Sequence, residues 1–308
     1  MPDTRWGLTI PFVGVPLAEH EPLIRRAEAA GYDDLWSAET NGADGFTPLA
    51  LAAAWTERVR LLTGVVNPYT RGPSLLAQSA AALADASGGR FVLGIGSSSP
   101  AIVERWNEVP FVKPLSKVRD TVQTLRPVLR GERGVGGFKL ETPPQHEIPI
   151  VIAALRDRML RLAAELGDGV FSNFLPLSGV GHVVEQARGA GEIACRFFCI
   201  AGPEDDAVAL AKRMFAAYGT TPVYAAFFRE LGWAEQLVPM VEAWEAGDRK
   251  RAVELCPEDL VREIFVLGPP EAMKERLAEF EAGGITSFTL MLIAPPDRAP
   301  ALIDALAR

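Results

Sequence analysis

Histidine and cysteine are scarce in this sequence, and their scarcity narrows the chemistry that it supports. The three histidines, His20, His146 and His182, are scattered without the spacing of a metal site. Cys195 and Cys199 would share one face of a strand, but no second cysteine or histidine pair completes a zinc site. We therefore expect no resident metal. The odd number of cysteines suits a reducing compartment, so we expect the protein to be cytoplasmic.

An excess of positive charge and long apolar runs are also missing. The chain has 31 lysines and arginines against 39 acidic residues, a net charge of −8, which disfavours binding to nucleic acid. No apolar run reaches the roughly 18 residues that a membrane-spanning helix needs. The first residues lead into a predicted strand without the apolar core of a signal peptide. We expect neither a nucleic-acid partner nor a membrane partner.

The motifs of common nucleophilic and phosphate-binding enzymes are absent as well. The chain has no Gly-x-Ser-x-Gly elbow, no phosphate-binding Gly-x-x-x-x-Gly-Lys-Ser/Thr loop and no His-Glu-x-x-His zinc motif. Apart from Glu39, no obvious acid–base group follows a predicted strand. A bound cofactor that supplies the chemistry is then the most economical hypothesis.

What the sequence does contain is a regular alternation of apolar strands and helices. Strands are predicted at 6–12, 34–37, 60–66, 90–96, 148–153, 169–173, 194–201 and 286–293. Helices are predicted between them, with a hairpin-like excursion at 131–144 and a largely helical insertion at about 204–263. Eight such strands predict a single α/β domain over 1–308, a (β/α)₈ TIM barrel with insertions at the carboxyl-terminal rim.

A doubly wound sheet is the alternative fold. It normally has fewer strands and a glycine-rich nucleotide loop after the first one. Here the first predicted strand is followed by Val13-Gly14-Val15-Pro16, which is not such a loop.

The predicted strand at 60–66 has a feature that suits a ligand site. Gly64 interrupts its apolar residues, and a strand glycine often marks a bulge or the close approach of a ligand. Asn67-Pro68 then ends the strand in a polar turn. Taken alone, the stretch favours a strand with a loosely packed glycine and an ordinary turn over a ligand site.

Small and polar residues recur after the other predicted strands. In a barrel these positions form the functional face. Gly94 and Gly96 precede a run of serines that offers N–H groups and hydroxyls to an anion, although the third glycine of a dinucleotide fingerprint is missing. Arg156 and Arg158 begin a helix, where a bound anion would offset their unfavourable position, or solvent would screen it.

Four stretches together resemble the bacterial luciferase-like flavin monooxygenase superfamily. They are 31–40 (GYDDLWSAET), 56–65 (TERVRLLTGV), 88–96 (GGRFVLGIG) and 153–163 (AALRDRMLRLA). Within the superfamily, 67–71 (NPYTR) is most similar to the branch that uses coenzyme F420, a deazaflavin. That branch includes methylenetetrahydromethanopterin reductases and deazaflavin-dependent alcohol and sugar-phosphate dehydrogenases.

The resemblance implies a homodimeric enzyme that transfers a hydride between the deazaflavin and a small-molecule substrate. It implies a cis peptide at Gly64–Val65 beside the cofactor ring. Glu39 and Thr40 match the catalytic positions, although the alcohol and sugar-phosphate dehydrogenases have histidine where this chain has Thr40. The cofactor-binding residues that we expect are Gly64, Val65, Asn67, Tyr69, Gly96, Ser97, Ser98, Ala153, Ala154, Leu155, Arg158 and Asn173.

The choice of cofactor depends on charge at the rim. Coenzyme F420 carries an acidic oligoglutamate tail, for which Arg71, Lys113, Lys117, Arg156 and Arg158 are candidate partners. We favour coenzyme F420 over FMN for this reason. An FMN-dependent monooxygenase is the first alternative, and a non-catalytic barrel that binds a ligand or partner is the second.

Overall fold

The computed structural model describes residues 4–308 as a closed parallel β-barrel surrounded by helices. Its strands are β1 (Arg5–Thr9), β2 (Asp34–Ser37), β3 (Arg60–Thr63), β4 (Phe91–Ile95), β5 (Ile150–Ala153), β6 (Gly169–Asn173), β7 (Ile193–Ile200), β8 (Val266–Leu267) and β9 (Ser287–Ile293). The barrel runs from β1 to β7 in order and closes through β9, which pairs with both β7 and β1. The predicted (β/α)₈ barrel is therefore confirmed.

Thirteen α-helices are described within residues 4–308. They are α1 (Glu21–Ala29), α2 (Thr47–Trp55), α3 (Pro73–Ala86), α4 (Pro114–Leu129), α5 (Asp157–Leu166), α6 (Val180–Gln186), α7 (Glu204–Gly219), α8 (Pro222–Glu230), α9 (Ala234–Glu245), α10 (Arg249–Glu254), α11 (Glu258–Ile264), α12 (Pro270–Ala282) and α13 (Ala299–Ala305). Helices α7 to α11 form the predicted insertion after β7. No helix in this part of the chain is both long and apolar enough to cross a membrane.

Several local predictions were wrong for identifiable reasons. The first strand stops at Thr9, three residues earlier than predicted. The Ile10 N–H still donates to Trp36 O at 2.8 Å, but Pro11 has no N–H with which to continue the pairing. Helix α2 begins at Thr47, and Asp44 Oδ1 accepts the N–H groups of Phe46 and Thr47 just before it at 2.8 and 3.1 Å.

Other departures concern short elements. The excursion at 131–144 contains one short helical turn, Val135–Gly137, and no hairpin strands. The two-residue strand β8, which extends the sheet beside the end of β7, was missed, as was the π-helical turn Ala101–Trp106. Their sequences are too short for periodicity to reveal them.

Side chains that point into the barrel form three layers of different chemistry. At the amino-terminal end, the fully buried Asp34 pairs with Arg5 and Arg60 at 2.7 Å each. The middle layer is apolar and consists of Trp36, Leu62, Val92, Val151, Phe171 and Ala194. Because side chains alternate along a strand, the next inward positions on β6, β7 and β9 belong to Asn173, Arg196 and Thr289. The barrel thus changes from apolar to polar as it approaches its carboxyl-terminal mouth.

Candidate active site

Arg196 is the central charged group of the polar layer at the barrel mouth. Its side chain crosses the interior, and only 9% of the residue is exposed. Nε donates to Thr9 Oγ1 at 3.2 Å, and Nη2 donates to the carbonyl oxygens of Gly64 at 2.6 Å and Ser37 at 3.3 Å. Its Nη1 has no hydrogen-bond partner among residues 4–308. The guanidinium therefore joins β1, β2 and β3 across the barrel and retains an open donor.

No carboxylate in the described part of the chain neutralises this guanidinium within 4.0 Å. The phenols of Tyr218 and Tyr224 and the thiol of Cys195 are the titratable groups that influence its charge. Burial lowers the pKa of Arg196 to about 10, so the side chain stays cationic at neutral pH. The ring of Phe171 lies 5.2 Å from the guanidinium carbon and supplies part of the missing compensation.

Asn173 and Tyr224 connect the barrel mouth to the helical insertion. Asn173 Nδ2 donates to the Tyr224 hydroxyl at 2.8 Å, while Asn173 Oδ1 is buried without a partner. Burial raises the pKa of Tyr224, which keeps its hydroxyl neutral. Trp36, in the layer below, also has a buried Nε1 without a partner. Buried orphan polar atoms are rare in folded proteins and are expected where a ligand completes the site.

The stretch after β3 forms one wall of the mouth. The Gly64–Val65 peptide is cis, as the family resemblance implied. A Cβ at Gly64 would lie 3.0 Å from the Trp36 ring and 3.1 Å from Arg196 Nη2, so only glycine fits there without displacement. A Cβ at Gly96 would lie 2.5 Å from Val65 Cγ2. Gly96 therefore makes room for Val65, which is half-buried at the mouth.

The polar turn that follows is organised by Asn67. Its Oδ1 accepts the N–H groups of Tyr69 at 3.1 Å and Thr70 at 3.0 Å. The Tyr69 hydroxyl donates to the carbonyl oxygen of Val112 at 2.7 Å, and Lys117 Nζ lies 5.8 Å from the centre of its ring. These contacts tie the end of β3 to the start of α4.

Glu39 and Arg71, which the sequence singled out separately, form an ion pair at 2.8 Å. Glu39 Oε1 also accepts the N–H of Gly45 at 3.1 Å, and Arg71 lies 3.4 Å from Asp44. The carboxylate is thus fixed against the loop before α2. Thr40, next to it, is exposed.

The remaining predicted residues occupy the rim after β4 and β5. Ser97 and Ser98 are half-buried, and Ser98 adopts a positive φ of 63°. Ala153 lies near Gly96: a Cβ added at Gly96 would lie 2.9 Å from the Cβ of Ala153. Ala154 is buried and Leu155 half-buried.

The predicted rim cations fall into two groups. Arg156 Nε donates to Glu230 of α8 at 2.8 Å, and Arg71 is paired as described above. Lys113, Lys117 and Arg158 have no carboxylate partner among residues 4–308. The first two flank the start of α4, and Arg158 is exposed at the start of α5.

The sequence interpretation missed Arg196, Trp36, Thr9 and Thr289. One signal for Arg196 was available, because it is the single charged residue in an otherwise apolar strand, Ile193–Ile200. In a closed barrel, a charged residue within such a strand must face either the interior or the helices.

A surface cleft of about 350 Å³ lies far from this site. It is lined by residues that include Arg126, His146, Ile148 and Ile150, at the amino-terminal end of β5. That end of a TIM barrel serves stability, while catalysis takes place at the opposite face. We therefore assign the candidate site to the mouth.

Comparison with known proteins relates the chain to one family. The model of the luciferase-like monooxygenase family matches residues 5–287. A "putative coenzyme F420-dependent oxidoreductase" of Mycobacterium tuberculosis is 30% identical, covering 91% of this chain and 92% of that protein. A 5,10-methylenetetrahydromethanopterin reductase of Archaeoglobus fulgidus is 28% identical and covers 91% of each chain.

Solved structures show the same fold. The coenzyme F420-dependent tetrahydromethanopterin reductase of Methanopyrus kandleri has a TM-score of 0.80 at 22% identity, covering 99% of this chain and 98% of that one. At this identity the likeness supports the fold alone. The family model, however, spans nearly the whole barrel, from the start of β1 to the first residue of β9, and by this match the chain belongs to the luciferase-like monooxygenase family.

Proposed function

We propose that this enzyme is a coenzyme F420-dependent oxidoreductase that transfers a hydride between the deazaflavin and a small organic substrate. The observation that carries the proposal is the 30% identity, over 91% of the chain, to a relative named for that cofactor. The resemblance of 67–71 to the F420-using branch points the same way. Bound coenzyme F420 would supply the hydride-accepting or hydride-donating carbon.

The residues at the mouth fit a flat ring with polar edges. Gly64 and Val65 offer an apolar wall, and the Gly96 and Ala153 side of the mouth is too small in side-chain volume to obstruct a ring. Asn173 Oδ1 is a buried acceptor without a donor, and Arg196 Nη1 has no acceptor among residues 4–308. We assign the other predicted contacts, Asn67, Tyr69, Ser97, Ser98, Ala154, Leu155 and Arg158, to the same site.

The protein's own part in the reaction is alignment, charge and exclusion of water. The Glu39–Arg71 pair fixes the loop that borders the mouth, and we propose that Glu39 orients the ring or relays a proton, with Thr40 beside it. Tyr218 and Tyr224 of the insertion pack on Phe174, with ring centres 4.8 and 5.5 Å away, and cover one side of the mouth. These contacts support an insertion that shields the site from solvent.

The test is to titrate the purified protein with coenzyme F420 and, separately, with FMN while following fluorescence. We expect saturable binding of coenzyme F420 and at least tenfold weaker binding of FMN. Tight binding of FMN without binding of the deazaflavin would identify the alternative, an FMN-dependent monooxygenase. Binding of neither would favour a non-catalytic barrel.

We also propose a homodimer in the cytoplasm. The homodimer rests on the family resemblance, and the location on three free cysteines that are all buried, which suits a reducing compartment. Sedimentation of the purified protein measures the oligomeric state directly.

A further inference from the structure

Burying the guanidinium of Arg196 costs free energy that residues 4–308 do not offset with an opposite charge. A buried charge normally has an oppositely charged partner, because removing it from water costs several kcal/mol. The other buried charge in the barrel interior follows this rule, since the fully buried Asp34 contacts Arg5 and Arg60 at 2.7 Å each. Arg196 instead has three neutral oxygen acceptors and a ring face.

Residues 4–308 supply no counter-charge for Arg196, so a bound group is the candidate partner. Nη1 has no hydrogen-bond partner among the described residues, and the neighbour of Arg196 on β6, Asn173, carries a buried orphan oxygen. Both groups lie in the layer at the mouth, and Nη2 contacts Gly64 O on the wall where the ring is proposed to lie. An anionic group at the mouth would supply the partner that Arg196 lacks among the described residues.

We propose that Arg196 holds the negative charge of the bound deazaflavin ring system, favouring its anionic form. The proposal rests on the function proposed above. Accepting a hydride adds two electrons and one proton to the ring and so lowers its net charge by one. A fixed cation beside the ring favours that state and equally favours loss of a proton from the oxidised chromophore. Arg196 is then a group that tunes the cofactor, which is distinct from the rim cations expected to meet the acidic tail.

The surroundings leave Arg196 as the dominant charge. The groups that face it are Thr9 from β1, Thr289 from β9, and the phenols of Tyr218 and Tyr224 from the insertion. The Cys195 thiol belongs to the opposite face of β7, and burial raises its pKa, so it stays neutral. No other charged side chain of the described residues pairs with the guanidinium.

The first experiment uses the native protein. The deazaflavin chromophore absorbs differently in its neutral and anionic forms, so a pH titration of absorbance gives its ionisation pH when free and when bound. We expect binding to lower that pH by about one unit or more, the size of effect that a neighbouring opposite charge produces. An unchanged or raised ionisation pH in a protein that binds the cofactor overturns the inference and leaves the proposed function standing. Failure to bind the cofactor overturns both.

The second experiment assigns the effect to this side chain. Arg196→Met should return the ionisation pH of the bound chromophore to within roughly 0.3 units of the free value, whereas Arg196→Lys should keep at least half of the shift. Arg188→Met is the control, because it removes the same charge at the exposed end of α6, on the amino-terminal side of the barrel. An Arg196→Met protein with the native shift contradicts the proposal. If Arg196→Met does not fold, Arg196→Lys decides the question. A lysine variant that keeps none of the shift in ionisation pH contradicts the proposal.

Discussion

Val65 is the side chain on which β3, β4 and β5 meet at the mouth. Its Cγ2 occupies the space that a Cβ at Gly96 would take, and Ala153 borders the same space. Gly94, one inward position earlier on β4, has a different reason to be glycine. A Cβ there would lie 1.8 Å from the carbonyl oxygen of Thr63, so it keeps two backbones close.

Alanine substitutions should separate these two roles. Gly94→Ala forces β3 and β4 apart, and we expect it to lower the free energy of unfolding by about 3 kcal/mol or more. Gly96→Ala displaces a valine side chain that is able to move, so we expect a loss of about 1 kcal/mol but roughly tenfold weaker binding of coenzyme F420. Urea unfolding and fluorescence titration measure the two quantities.

Gly42→Ala serves as the control for this pair, since a Cβ at that exposed position meets no atom within 4 Å. It should change neither stability nor affinity. Native affinity in Gly96→Ala would show that Val65 does not border the cofactor.

These residues could be predicted only where the local sequence has an unusual feature. Gly64 stood out because a glycine in a strand interior is locally unfavourable. The ion pair between Glu39 and Arg71 was invisible, because the partners are 32 positions apart and only the closed barrel brings them together. The sequence marked Arg196 only as part of a buried strand. Its importance follows from the fold, which places no carboxylate beside it among residues 4–308.

At the scale of elements, the insertion is tied to the barrel by polar as well as aromatic contacts. Glu230 of α8 pairs with Arg156 at the start of α5, and Tyr224 accepts from Asn173 at the end of β6. The ion pair joins two half-exposed side chains, so its own contribution to stability is about 1 kcal/mol or less. Its larger consequence is that it neutralises a cation at the rim.

Glu230→Gln should therefore strengthen binding of the acidic cofactor. The substitution releases Arg156 toward the oligoglutamate tail, and we expect affinity for coenzyme F420 to rise about threefold at low salt. The gain should vanish near 1 M salt, where exposed charges are screened within about 3 Å. Fluorescence titration at several salt concentrations provides the measurement.

Glu235→Gln removes the same charge from an exposed position on α9 that forms no ion pair in the structure. It is the matched control and should show a smaller gain. Equal gains in the two variants would attribute the effect to net charge, and no gain in either would exclude Arg156 as a partner of the tail.

Element boundaries were predictable where periodicity and end signals agreed. The strands at Asp34–Ser37 and Gly169–Asn173 were predicted to the residue, because apolar runs and the residues that end them coincide there. The first strand was predicted three residues too long, since its sequence stays apolar past Pro11, which has no N–H to donate to the sheet. Local sequence does not reveal which peptide bond leaves the sheet.

At the scale of the whole molecule, the barrel interior separates stability from function along its axis. The amino-terminal layer contains a compensated charge cluster, in which Asp34 is fully buried and contacts both Arg5 and Arg60. The mouth contains the uncompensated Arg196 and the orphan oxygen of Asn173. The count of eight strands in the sequence predicts a closed barrel. The register of the strands, which the sequence does not reveal, determines which end of the barrel has paired polar groups.

This separation predicts opposite behaviour for substitutions at the two ends. Asp34→Asn keeps the shape of the side chain but leaves Arg5 and Arg60 without their shared carboxylate. Breaking a buried pair costs about 3 to 5 kcal/mol, and the lower value applies here because both arginines are partly exposed and Arg60 keeps Glu192. We expect a free energy of unfolding about 3 kcal/mol lower, with affinity for coenzyme F420 within twofold of native.

Two variants serve as comparisons for Asp34→Asn: one breaks a surface ion pair, and the other removes Arg196. Glu21→Gln breaks the exposed Glu21–Arg25 pair on α1 and should cost less than about 0.5 kcal/mol. Arg196→Met should cost more binding free energy for coenzyme F420 than free energy of unfolding. The folded protein loses three hydrogen bonds, but it is also relieved of a buried charge that has no counter-charge among residues 4–308. If Asp34→Asn weakened binding as much as Arg196→Met while the protein remained folded, the two ends of the barrel would be coupled, and the assignment of stability to one end and cofactor chemistry to the other would be wrong.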